Sequence, residues 1–225
     1  MLIYGHRGAS ADFAENTIGA FTGAVDQGAD GVELDVRRSL DGQLVIHHDP
    51  HLPDGRIITA TNASELGGTV PGFDAALDAC GRLIVNVEIK HDPGDAGFSE
   101  DRRLADQVLE LWHARSRSPR IIVSSFDVGI IDRIRQLDPE VPTGWLVFSA
   151  DEPVDAVTRC ADSGHSAIHP WDPMVSEPVV ERCRAAGLTI NVWTVDDPDR
   201  FLTLRSWGVD GVVTNRPGLA RRTLG

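Results

Sequence analysis

Leu83-Ile84-Val85-Asn86-Val87-Glu88-Ile89-Lys90 is an apolar, β-branched run that ends in two opposite charges. It is the third of eight such runs, the others being Leu2 to Gly5, Gly31 to Val36, Ile121 to Phe126, Thr143 to Phe148, Ser166 to Pro170, Leu188 to Val195 and Gly211 to Thr214. Helix-length amphipathic stretches separate them, which is the pattern of parallel β/α units. The expected fold is α/β, a (β/α)8 TIM barrel.

The intervening stretches carry helical periods and stops. After Glu15, with Asn16 or Thr17 as cap, Ile18, Phe21 and Val25 form the expected apolar stripe of a first helix that Gly28 ends. Another opens at Asp127, repeats apolar residues at Ile130, Ile131, Ile134 and Leu137, and stops at Asp138-Pro139. Val179, Val180 and Cys183 before Gly187, and Phe201, Leu202 and Leu204 before Gly208, read in the same way. One segment breaks the rhythm. Asp41-Gly42 is a two-residue hairpin signal joining Val36-Arg37-Arg38 to Leu44-Val45-Ile46, so a short hairpin excursion is expected after strand 2. Its return leg brings His47 and His48 back to the level of Glu33 and Asp35. His91 to Glu100, rich in Gly and Asp, is expected to be a mobile surface loop. With 225 residues and no linker or repeat, the chain is expected to be one domain over 1–225.

A net charge of −13 excludes a surface that attracts nucleic acid or anionic lipid, so any anionic substrate must meet a local cationic spot. Cys80, Cys160 and Cys183 lie far apart and match no metal-binding spacing, and reduced, buried thiols are expected. No apolar run approaches the roughly 20 residues of a membrane span, and no stable membrane insertion is expected. With Met1 as the native start, four residues before the first chemical motif are too few for a secretory signal, and a cytoplasmic location is expected.

Active sites of such barrels gather at the carboxyl ends of the strands. Those ends carry His6-Arg7, Glu33 and Asp35, His48 on the hairpin, Glu88 and Lys90, His169, and Trp193. Glu33 and Asp35 are two apart in a strand and share a face, and Glu88 is the natural third ligand for one cation. Three carboxylates suit a hard divalent ion, Mg2+ or Ca2+, and not zinc. A structural ion pair of Glu33 with Arg7 or Lys90 is the alternative. His6 and His48 follow apolar strand residues and form a candidate acid/base pair, whereas His47 points to the other face. Arg7 and Lys90 would offset the charge of a phosphodiester. Trp193 is either an aromatic wall for substrate or core. His51, His91, His113 and His165 read as ordinary structural histidines. No Walker loop, dinucleotide fingerprint or G-x-S-x-G elbow is present.

Gly5-His6-Arg7-Gly8 followed by Glu15-Asn16-Thr17 resembles the opening of glycerophosphodiester phosphodiesterases. Gly28 to Val36, Asp41-Gly42, His48-Asp49, Glu88-Ile89-Lys90, Ser125-Phe126, Val192 to Val195 and Gly208 to Gly211 continue the likeness in order over nearly the whole chain. The resemblance implies Glu33, Asp35 and Glu88 as metal ligands, His6 and His48 as general acid/base pair, and Arg7 and Lys90 as phosphate-binding residues. It implies hydrolysis of a small-molecule glycerophosphodiester to glycerol 3-phosphate and an alcohol such as choline or ethanolamine. Ala14 stands where that family usually has Pro, and Asn215 where Asp commonly follows the Thr of the last strand; neither is expected to touch the chemistry. Asp49 to Ser64 lacks the usual Leu-x-Arg-Thr-Thr pattern, which leaves the alcohol open. Asp12 and Phe13 are expected to face the ligand. Two alternatives stand beside this reading: a related barrel acting on (lyso)phospholipids, and a non-catalytic barrel that binds phosphodiesters. Oligomeric state is left open.

Overall fold

A computed structural model describes residues 1–225 except 97 and 149–152. Its strands are β1 (Leu2–His6), β2 (Gly31–Arg38), β3 (Leu44–Ile46), β4 (Ile84–Ile89), β5 (Ile121–Ser125), β6 (Thr143–Val147), β7 (Ala167–Pro170), β8 (Thr189–Val192) and β9 (Gly211–Thr214). All except β3 run parallel in the order β1-β9-β8-β7-β6-β5-β4-β2, and a β1–β2 pairing closes the ring. Helices α1 (Ile18–Asp26), α2 (Phe73–Ala79), α3 (Arg103–Ala114), α4 (Val128–Leu137), α5 (Pro153–Asp162), α6 (Glu177–Ala185), α7 (Pro198–Trp207) and α8 (Pro217–Leu224) alternate with the ring strands. This is a (β/α)8 barrel.

Buried strand residues pack outward on the helices in two clusters. One joins Phe21, Phe73 and Ile130 to β2, β4 and β5; the other joins Val180, Phe201 and Leu204 to β7, β8 and β9. Inside the ring, Tyr4 fills space that two glycines leave, since a Cβ on Gly31 would lie 2.3 Å from Tyr4 Cδ1 and one on Gly211 3.0 Å from its Cε2. The antiparallel hairpin forms in the expected register, Val36 opposite Ile46 and Arg38 opposite Leu44. Its ladder is prolonged by His47 N donating to Asp35 O at 3.0 Å. Below it, Leu52, Ile58, Leu66 and Val70 make a small core of their own around Val45.

The expected stripe of α1 is displaced. Ala20, Phe21, Gly23 and Ala24 are buried, whereas Ile18 and Val25 are exposed. The helix lies too close to the barrel for large side chains: a Cβ on Gly8 would come within 2.5 Å of the Ala20 backbone. Leu137 and Leu202 are likewise exposed, on the outer faces of α4 and α7. Thr17, not Asn16, caps α1, its Oγ1 accepting from Ala20 N at 3.2 Å. That leaves Asn16 buried, in the left-handed region at φ +57°, with its amide turned toward β2.

Candidate active site

Strand alternation and register put the site at the carboxyl mouth of the barrel. His6 pairs with Glu33 across β1–β2, and Asp35 pairs with Glu88 across β2–β4. One oxygen each of Glu33, Asp35 and Glu88 lies within 4.8 Å of the others, and all three residues are buried. Lys90 Nζ sits 2.9 Å from Asp35 Oδ1 and also meets Glu88 Oε1. Arg7 gives its backbone N–H to Glu33 Oε2 at 2.9 Å, and its guanidinium lies 3.5 Å from Asp35 Oδ2 and 2.9 Å from Glu15.

The electrostatics show a cluster short of positive charge. Burial pushes the Glu33 carboxyl well above the usual carboxylate range, reinforced by repulsion from Asp35 and Glu88. Burial also raises Glu88, with Lys90 opposing. At Asp35 burial pushes upward too, but Lys90, Arg7 and His48 outweigh it and hold that carboxyl below its ordinary value. Glu33 Oε1 has no hydrogen-bond partner among the described residues although it is fully buried. Three carboxylates against two cations, with Glu33 Oε1 met by neither a hydrogen bond nor an ion pair among the described residues, fit a bound divalent ion. The ion-pair alternative is present in the same cluster, between Lys90 and both Asp35 and Glu88, and it leaves Glu33 Oε1 unexplained.

Both candidate histidines border this cluster, and each has Nδ1 engaged. His6 Nδ1 lies 2.7 Å from Asn215 Oδ1, and its Nε2 lies 4.0 Å from Glu33 Oε2. Burial, then the nearby Arg7, lowers the His6 pKa. His48 Nδ1 is 2.7 Å from Asp49 Oδ1. Arg37 holds the His48 segment by donating from Nε to His48 O at 2.9 Å, and it reaches Asp95 at 2.6 Å. His47 turns away, onto Asp49 O at 2.9 Å.

These polar groups form one side of a cavity of about 190 Å³ whose other side is apolar: Phe126, Leu146, Phe148 and Trp193. Trp193 donates from Nε1 to His169 O at 2.7 Å, meets Phe126 edge-on at 5.7 Å and stacks with Phe148 at 6.1 Å. It lines the cavity and is half-buried. A wider cavity of about 950 Å³ shares His48, Glu88, Lys90 and Phe126 with the first and extends toward His91, Asp95 and Phe98. The described residues of His91 to Glu100 fold onto the barrel mouth. There His91 contacts Asp127 at 2.7 Å and Ser99 O at 2.8 Å. Gly97 lies outside the described residues.

All eight residues singled out by sequence line this smaller cavity except Asp35, which lies beneath it in contact with Arg7 and Lys90. Asp12 and Phe13 do not face it. Asp12 accepts from Gln27 at 2.7 Å, and Phe13 packs on α1, where a Cβ at Gly23 would come within 2.4 Å of its ring. Asn215, expected to stand clear of the chemistry, touches the candidate His6. Asn16, a candidate cap and part of the Glu15-Asn16-Thr17 block, donates from Nδ2 to Asp35 Oδ2 at 2.7 Å. Since Thr17 caps, the neighbouring amide was free for another task. His169, expected at a strand end but given no role, borders the cavity, and so do Asn86 and Phe148, which carry no such expectation.

A barrel whose mouth gathers buried acids, two cations and two histidines has the equipment of a hydrolase for an anionic ester. The model of the glycerophosphoryl diester phosphodiesterase family matches residues 6–58 and 55–219. A glycerophosphodiester phosphodiesterase of Caldanaerobacter subterraneus subsp. tengcongensis is 27% identical, over 96% of this chain and 94% of its own. The probable glycerophosphodiester phosphodiesterase 1 of Mycobacterium tuberculosis is 30% identical, over 99% and 92%. Among solved structures, the glycerophosphodiester phosphodiesterase of Thermotoga maritima superposes with a TM-score of 0.83 at 30% identity, over 99% of this chain and 97% of that one. An Oleispira antarctica phosphodiesterase solved in complex with its product sn-glycerol-3-phosphate has the same fold, with a TM-score of 0.88 at 24% identity over 100% and 96%. The chain belongs to the glycerophosphoryl diester phosphodiesterase family, enzymes that hydrolyse glycerophosphodiesters.

Proposed function

We propose that this chain hydrolyses a water-soluble glycerophosphodiester to glycerol 3-phosphate and an alcohol. In this reading Glu33, Asp35 and Glu88 hold one divalent cation, Mg2+ or Ca2+, and His6 and His48 are the acid/base pair. Arg7 and Lys90 bind the phosphodiester, and Trp193 walls the glycerol side. The observation that carries it is the buried cluster of three carboxylates, with Glu33 Oε1 met by neither a hydrogen bond nor an ion pair among the described residues, bordered by both histidines.

When bound, the cation would act as a Lewis acid that draws charge from a phosphoryl oxygen. Arg7 and Lys90, both mostly buried, stabilise the same charge by pairing with it. One histidine takes a proton from the attacking oxygen as the new P–O bond forms. The other gives a proton to the departing alkoxide as the old P–O bond breaks, so the alcohol leaves neutral. The engaged Nδ1 of each ring leaves its Nε2 for these transfers. The 190 Å³ cavity suits a glycerol unit, with polar groups for phosphate on one side and aromatic rings for the carbon skeleton on the other.

The three free, buried cysteines support a reducing, cytoplasmic setting, in which the enzyme would recover glycerol phosphate from lipid headgroup esters. No helix of the described residues is long and apolar enough to cross a membrane. One observation favours a second substrate class. Phe126, Phe148 and Trp171 are exposed at the rim, with Phe148 and Trp171 stacked at 4.9 Å, a surface on which a single acyl chain could lie. The test is turnover of glycerophosphocholine, glycerophosphoethanolamine and lysophosphatidylcholine by wild type, His6→Gln and His48→Gln. The reading expects glycerol 3-phosphate from the headgroup esters and a fall on the order of 10²-fold or more in either variant. Full activity in both variants contradicts it; turnover of the lysolipid alone moves the substrate to the second class.

A further inference from the structure

Asn215 follows the last barrel strand, and its side chain bridges two groups of unequal chemistry. Its Nδ2 donates to Asp196 Oδ2 at 2.6 Å. Asp196 Oδ1 is taken up by Asn215 N–H and Thr214 Oγ1, both at 2.8 Å. An ionised carboxylate only accepts, so the amide NH2 must face Asp196 and the amide oxygen must face the opposite way. There Asn215 Oδ1 accepts from Ser10 Oγ at 2.8 Å and lies 2.7 Å from His6 Nδ1. Ala11 N–H donates to Asn215 O at 3.0 Å, so the loop after β1 is tied to this residue by backbone as well as side chain.

An amide oxygen has no proton to give, so a hydrogen bond from His6 requires the proton on Nδ1. We infer that Asn215, oriented by Asp196 and Ser10, is a positioning residue that keeps His6 in the Nδ1–H form. The Nε2 of His6, 4.0 Å from Glu33, is then the single ring nitrogen that exchanges a proton with the substrate. The inference rests on His6 being part of the acid/base pair. The geometry also says why the residue is Asn and not Asp. A carboxylate at 215 would face the Asp196 carboxylate at hydrogen-bond distance without a proton between them, whereas an amide joins carboxylate to imidazole with every polar atom satisfied.

The test combines ring-nitrogen NMR of the neutral His6, with its signals assigned by their loss in His6→Gln, and steady-state kinetics on glycerophosphocholine. Wild type should show Nδ1–H. In Asn215→Leu, which removes the acceptor at similar volume, Nε2–H should appear, and kcat should fall on the order of 10²-fold with KM little changed. The swapped pair Asn215→Asp with Asp196→Asn reverses the bridge but keeps every hydrogen bond in it, and should restore Nδ1–H. A folded Asn215→Leu that keeps Nδ1–H, or keeps the wild-type kcat, overturns the inference. Should Asn215→Leu not fold, the swapped pair decides: Nδ1–H upholds the inference and Nε2–H overturns it. The tautomer is read without turnover, so a protein inactive on glycerophosphodiesters would end the functional reading and leave the bridge to be judged by NMR alone.

Discussion

Glu33 shows how a single side chain carries information about its site. It is buried, repelled by two neighbouring carboxylates, and left with one oxygen that no described donor reaches. Asp35 has the opposite balance, because Lys90, Arg7 and the Asn16 amide all approach it. Removing that amide in Asn16→Ala should loosen the orientation of Asp35 and weaken metal binding on the order of tenfold, which titration of the metal-stripped variant would read. His169 offers a test by pH. Burial depresses its pKa from the ordinary 6.5 to about 4. Between those values the unfolded chain binds a proton that the native one refuses, so this contribution is complete above about pH 6.5 and is lost as pH falls toward about 4. The total is about 3 kcal/mol. Denaturant unfolding across that range should show a steeper acid loss in wild type than in His169→Gln, and parallel curves would refute the assignment. The seven polar candidates gathered at the mouth were legible because ionisable groups at strand ends stand out against apolar runs. Asn16 and Asn215 were not, since a neutral amide carries no charge signal and its role depends on which neighbour it meets across the barrel.

Among the elements, the β2–β3 hairpin and the β1–α1 turn bring His48 and His6 to the same mouth. Both depend on a left-handed glycine, with opposite surroundings. Gly42 has φ +79° and nothing within 4 Å of an added Cβ, while Gly8 has φ +86° and meets the Ala20 backbone at 2.5 Å. Gly42→Ala should therefore cost only the backbone strain, about 1 kcal/mol, and keep activity. Gly8→Ala should add a clash that pushes α1 from the barrel, costing about 3 kcal/mol or more and displacing His6 and Arg7. Equal losses in the two variants, measured by unfolding and turnover, would contradict this account. The hairpin was readable because Asp41-Gly42 is a local signal. The face of α1 was not, because close approach to the β1 turn at Gly5 and Gly8 selects Ala24 and Ala20 for smallness, and the Phe13 ring does the same at Gly23, which local periodicity does not show.

For the molecule as a whole, the barrel supplies the frame that holds three buried carboxylates against two cationic side chains. A chain with a net charge of −13 gathers three buried carboxylates, Glu33, Asp35 and Glu88, at one mouth, where Arg7 and Lys90 balance them only in part. Binding a divalent ion there should stabilise the whole fold, by about 2.7 kcal/mol at a hundred times the dissociation constant, or about 5 to 10 °C in melting temperature. Glu33→Gln should lose most of that rise. The alternation of strands and helices was visible throughout the sequence because each unit repeats one pattern. The division of the mouth into a charged side and an aromatic side was not, because Phe126, Phe148 and Trp193 come from three separate units. The most direct test of the central claim is release of glycerol 3-phosphate from glycerophosphocholine and glycerophosphoethanolamine by metal-stripped protein, with Mg2+ and Ca2+ restored separately. The account predicts no release without metal, recovery with at least one of the two, and no recovery in Glu33→Gln. Undiminished release from the stripped protein, or none with either metal from a folded one, would contradict it.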